Sequence, residues 1–130
     1  SALISHGRGK TMGDGWETRR RREPGNDWII IKLATKGLIK KIEIDTAHFK
    51  GNYPDQASVQ VSNFDKNKGL EELINDSHNW KYILDKSKLQ ADNIHNYEVN
   101  DTSIKGVTHV RLNIYPDGGV SRLRIFGLKL

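Results

Sequence analysis

The chain has no cysteine, only three prolines and a single methionine among its 130 residues. The missing cysteine removes disulfide scaffolds, thiolate zinc sites, iron–sulfur clusters and cysteine nucleophiles together. It also fits a reducing, cytoplasmic home. The opening Ser-Ala-Leu-Ile-Ser-His agrees with that expectation, because it lacks the basic-then-apolar layout of a secretion leader. No apolar run approaches the roughly 18–20 residues that cross a bilayer. Hydrophobic residues are only 35% of the chain and charged ones 28%. Three Trp, four Tyr and three Phe nevertheless supply anchors for a core, which argues against disorder. The length suits one domain burying about two thirds of its extended surface.

Charge is unevenly placed. Residues 1–23 hold six of the 21 cationic residues and three of the 16 acidic ones, so this stretch carries +3 and the other 107 residues +2. Such a patch attracts anions, phosphates and carboxylates alike. The run Arg19–Arg22 reads equally as a solvated strand or loop edge. A nucleic-acid reader would spread its cations along a helix or interleave them with aromatics, and this chain does neither.

Residues 1–27, rich in glycine and charge, read as an irregular loop segment. Short strands follow: Trp28–Leu33, Ile39–Asp45, Val59–Val61, Trp80–Leu84, Tyr97–Val99, Val110–Ile114 and Leu123–Phe126. About seven strands divided by turn residues predict an all-β sandwich or barrel. Residues 69–76 alone invite a short helix, and Pro116-Asp117-Gly118-Gly119 predicts the reversal between the last two strands. With Val110, Leu112 and Ile114 pointing to the core, His109, Arg111 and Asn113 share the opposite face. Solvent exposure is the simpler reading of that face, and a polar pocket is the alternative. Trp16, Trp28 and Trp80 read as core anchors rather than stacking platforms.

Several local patterns carry less than they suggest. Gly9-Lys10-Thr11 imitates the end of a phosphate loop, but Ile4 stands where the leading glycine belongs. The five histidines show no zinc spacing. Asp14 and Asp117 sit in turns and are oxygen donors for a hard cation only as an alternative. His48 follows Asp45-Thr46-Ala47 just past a strand. A histidine near a carboxylate there suits proton transfer near neutral pH, with a backbone-bonded loop histidine as the plainer reading.

Longer strings say more. Gly7-Arg8-Gly9-Lys10-Thr11-Met12-Gly13-Asp14-Gly15-Trp16-Glu17-Thr18-Arg19-Arg20-Arg21-Arg22, then Pro24–Leu33, then Ile42–Pro54, then Thr108–Gly127, resemble the allantoicase family in order and spacing. These blocks cover about half the chain, and residues 62–106 match weakly. The resemblance implies a jelly-roll β-sandwich, galactose-binding-domain-like, with residues 1–130 forming one repeat of a two-repeat protein. The Gly-Arg-Gly-Lys start and the Pro-Asp-Gly-Gly end look like the second repeat. It implies hydrolysis of allantoate to ureidoglycolate and urea. An isolated repeat is expected to be inactive if the site draws on both.

That chemistry needs a cation for the substrate carboxylate, an acid for the departing urea, and a base or metal for the attacking water. Within the matched blocks, the resemblance offers His48, Glu17 and Asp45 as catalytic residues. It offers Arg20, Arg111, Arg122 and Asn52 as substrate-binding ones. A divalent ion is an open expectation, with Asp14 its candidate ligand. The expected partners are allantoate, the companion repeat and further copies of the chain, with no nucleic acid and no membrane. The competing reading is a non-catalytic carbohydrate- or anion-binding module on the same fold.

Overall fold

The computed structural model describes residues 2–4, 16–17, 26–64, 67–101 and 103–129, the first two stretches as strand backbone. The strands in chain order are β1 (Ala2–Ile4), β2 (Trp16–Glu17), β3 (Asp27–Asp45), β4 (Gln56–Ser62), β5 (Lys81–Lys88), β6 (Ile94–Glu98), β7 (Val107–Tyr115), β8 (Gly119–Val120) and β9 (Arg122–Lys129). One helix, α1 (Leu70–Ser77), lies between β4 and β5. The main sheet runs β1-β9-β3-β7-β4-β5, with β6 also on β3, and every pairing is antiparallel. The described fold is the expected all-β sandwich.

The long strand β3 organises it. Its first half pairs with β7, from Asp27 opposite Ile114 to Lys32 opposite His109. The register then slips before Gly37, and the second half pairs with β9, ending with Asp45 opposite Arg122. Ser121 donates its backbone N–H to the Asp45 carbonyl at 2.8 Å, and Asp55 donates to the Tyr115 carbonyl at 2.9 Å. Both ends of β3 therefore return to the same end of the molecule. The strand folds over and lends itself to both layers.

Alternation decides what each layer buries. Ile31, Val110, Leu112 and Ile114 from one half meet Ile42, Ile44, Leu123 and Ile125 from the other in one core cluster. On the outside of the second layer, Lys41 sits over the Phe126 ring at 5.2 Å, and Glu43 meets Arg124 at 3.6 Å. These are the register partners that cross-strand pairing sets side by side.

Three expectations change. The strands Trp28–Leu33 and Ile39–Asp45 are one continuous strand, because the chain crosses between layers through a register shift rather than a turn. The opening segment is not wholly irregular: β1 pairs with β9, and β2 pairs with β8. Trp28 stands outside the apolar core cluster, whereas Trp80 is buried as expected, packed with Phe64 and His109. Replacing Leu112, which is fully buried, by alanine is expected to cost about 2–5 kcal/mol. Urea denaturation checks this, and a loss below about 1 kcal/mol would contradict a close-packed core.

Candidate functional site

Three separated blocks of sequence meet at one end of the sandwich. Glu17 of β2 stands in register with Gly119 of β8. Gly119 donates its N–H to the Asn52 carbonyl at 2.8 Å. A Cβ on Gly119 would collide with the Phe49 ring, and one on Gly118, at φ 127°, would meet Pro54 N at 2.6 Å. The turn after Asp45 and the final reversal thus touch backbone to backbone. Only glycine permits that approach. The reversal at residues 116–119 agrees with the sequence, and its Tyr115–Pro116 peptide is cis.

The turn carrying His48 is held from several sides. Asp45 is buried, and its Oδ1 accepts the Ala47 N–H at 2.7 Å, an Asx-type cap. Phe49 donates to the Thr46 carbonyl at 2.9 Å. His48 lies in the left-handed region at φ 73°, and its N–H is taken by Asp92 Oδ1 at 2.8 Å. Asp92, at φ 48°, donates its own N–H to the Phe49 carbonyl at 3.0 Å. Two turns in an uncommon backbone conformation fix one another. The His48 side chain is exposed, and among the described residues no hydrogen bond engages its ring. Arg122 is half-buried at the start of β9, opposite Asp45, and forms no ion pair among the described residues.

The sequence candidates therefore divide. Asp45, His48, Asn52 and Arg122, with the backbone of Glu17, gather at the Gly119 end. Asp45 reaches the turn's backbone, so its geometry suits positioning. Arg111 lies elsewhere, on the outer face of β7. Arg20 and Asp14 fall outside the described residues. Among the described residues no group of three or more His, Asp or Glu side chains could hold a metal ion. Asp92, Phe49 and Ser121 were not singled out from the sequence. Only the Asp92-Asn93 turn pair offered a signal.

The outer face overturns the solvent-exposed reading. His109, Arg111 and Asn113 are 7%, 4% and 2% exposed. Arg111 donates through Nε to Asn113 Oδ1 at 2.8 Å and through Nη1 to Ser77 Oγ at 2.6 Å. Asn113 Nδ2 donates to Gln60 Oε1 at 2.9 Å, and Gln60 Nε2 to the Trp80 carbonyl at 3.0 Å. The guanidinium lies 4.4 Å from the Trp28 ring centre, so Trp28 is a stacking platform after all. No carboxylate pairs with Arg111 among the described residues. Burial lowers its pKa from the ordinary value, and the Tyr82 and Tyr115 phenols oppose that. His109 packs edge-on to Phe64 at 5.7 Å and against Trp80 at 6.1 Å. Burial first, then the Lys32 charge, lowers the His109 pKa below its ordinary 6.5.

Comparison with known proteins follows from this geometry. A family model described as the allantoicase repeat matches residues 1–130. The chain is 54% identical over 127 residues to probable allantoicase 1 of Burkholderia mallei, covering 98% of this chain and 37% of that protein. It is 54% identical over 127 residues to the probable allantoicase of Ralstonia nicotianae, with 98% and 38% covered. A solved allantoicase from Saccharomyces cerevisiae superposes with TM-score 0.73 at 40% identity, over 96% of this chain and 35% of that one. An F5/8 type C domain from Bacteroides fragilis shares the fold at TM-score 0.63 and 14% identity, over 89% and 74%. The chain thus spans little more than a third of the curated relatives it matches.

The buried His109 gives stability a sign with pH. The unfolded chain takes up the histidine proton at a higher pH than the folded one, so the His109 contribution to stability is full above the ordinary value of 6.5 and is lost as the pH drops below it. A His109→Gln variant is expected to lose that part of the slope in urea titrations between about pH 7.5 and 5. An unchanged slope would show that His109 is not the responsible group.

Proposed function

The chain belongs to the allantoicase family, and from that premise we propose that it supplies one repeat of an enzyme hydrolysing allantoate to ureidoglycolate and urea. The observation that carries the reading is the meeting of β2, the His48 turn and the Gly119 reversal at one end of the sandwich. Allantoate carries a carboxylate and two ureido arms on one carbon. In the reaction the bond from that carbon to one ureido nitrogen breaks, water oxygen bonds to the carbon, and the departing nitrogen gains a proton.

In this reading Arg122 holds the carboxylate, since a guanidinium can grip both oxygens. The exposed His48 imidazole passes the proton to the leaving urea. Asp45 and Asp92 act through the turn, fixing where His48 projects. Glu17 is placed by β2 beside Gly119 and is the proposed carboxylate for readying water. Asn52 is the proposed contact to a ureido arm. Arg20 is a further substrate-binding candidate, and so is Arg111, for a ligand that reaches the outer face.

The chain spans little more than a third of its relatives' length; a companion repeat is the proposed partner, and further copies of the protein a second one. We place the protein in the cytoplasm. No helix among the described residues is long and apolar enough to cross a membrane.

In the full-length protein, His48→Ala is expected to lower kcat for urea release from allantoate about 100-fold or more. Arg122→Ala should lower kcat/KM by about 10- to 100-fold, the range for a charge-assisted hydrogen bond. Near-normal turnover in both variants would remove this assignment. A full-length protein that binds allantoate and releases no urea would favour the binding-module reading instead.

A further inference from the structure

A different part of the molecule has the makings of a second site. Lys32 and His109 face one another in the β3–β7 register, five pairs along from Asp27 and Ile114. They lie at the end of the outer face opposite the His48 turn. A cavity of about 680 Å³ opens there, lined among others by Lys32, Lys36, Asn63, Phe64, Thr108 and His109. A smaller one of about 250 Å³ shares Lys32, Phe64 and His109 with it and adds Lys68. The larger volume falls within the range that takes small organic ligands.

Its floor is fixed and its walls are cationic. Phe64 N–H donates to Thr108 Oγ1 at 2.9 Å, and that hydroxyl lies 2.8 Å from His109 Nδ1. Phe64, Trp80 and His109 pack as one aromatic group. Lys68 Nζ stands 5.9 Å from the Phe64 ring centre and reaches Glu72 only at 3.9 Å. Among the described residues, Lys32 and Lys36 have no ion pair and no carboxylate lines either cavity. Lysines lining one cavity favour an anion there. Burial first, and then the Lys32 charge, lowers the His109 proton affinity.

We propose that this cavity is an anion-accepting site for a small carboxylate borne on a planar apolar ring, separate from the His48 end. The carboxylate pairs with Lys32 and Lys36, and the ring lies against Phe64.

The test is a titration of the full-length protein with benzoate, benzyl alcohol and inorganic phosphate, read by NMR at the His109 imidazole and the Trp80 indole. Benzoate is expected to bind at millimolar concentration, to move both resonances, and to raise the pH at which His109 titrates. Benzyl alcohol, alike in ring but uncharged, should bind at least about 10-fold more weakly, and phosphate likewise. The Lys32→Gln/Lys36→Gln double variant changes two exposed side chains, and circular dichroism verifies its fold. It should lose about 10-fold in benzoate affinity, the ratio equal to about 1.4 kcal/mol. Equal binding of benzoate and benzyl alcohol would overturn the proposal. So would phosphate binding without benzoate, unchanged affinity in the folded double variant, or no shift at either residue. None of these results bears on urea release.

Discussion

The arrangement turns on one close backbone approach. Gly119 gives its N–H to Asn52 beneath the Phe49 ring, in a space where no side chain fits. That contact ties the last reversal to the turn after β3. Through β2 it also ties in the backbone of Trp16 and Glu17. Asp45, at the end of β3, completes the tie by accepting Ser121 at its carbonyl and Ala47 at its carboxylate. The buried Asp45 carboxylate and Gly119, together with Asp92 across the turn, thus fix where His48 and Arg122 stand. The exposed His48 and the half-buried Arg122 can meet a ligand because the backbone beneath them carries the structure.

A second constraint acts on the outer face of the sheet. Burying a guanidinium without a carboxylate is costly unless its donors and the surrounding amides are satisfied. Arg111 meets that demand through Asn113, Ser77 and the Trp28 ring. Gln60 and Ser58 close the chain of bonds behind Asn113. Such a network ties helix α1 to strands β4 and β7, since Ser77 closes the helix and also bonds its own Ile74 carbonyl at 2.6 Å. The face that the alternation marks as polar is therefore an organised layer between sheet and helix.

Much of this was legible in the residues. Strict alternation at Val110–Ile114 and Leu123–Phe126 separates core from outside, and both strands form as read. The Pro116–Gly119 turn and the short helix near residue 70 also form as read. Period two reports only which side a residue takes, not what covers it. That is why His109, Arg111 and Asn113 read as exposed: Ser77 and Trp80, which close over them, come from a distant segment. Residues 34–37 resembled a break because a chain passing between layers needs no hydrophobic alternation there. β1 and β2 are too short for any pattern, and their pairing depends on partners more than 100 residues away. The strings mark the three blocks but not that they meet. The backbone contacts that join them, above all those of Asp92 and Ser121, depend on folded geometry.

The central claim is that the Gly119 end binds the substrate's carboxylate beside His48. A crystal structure of the full-length protein with N-carbamoylglycine tests it most directly. That compound keeps the carboxylate and one ureido arm but has no second arm to release. The account predicts its carboxylate paired with Arg122 and its ureido arm within reach of His48 and Asn52. Electron density for the ligand elsewhere, with the His48 turn and Arg122 untouched, would contradict it.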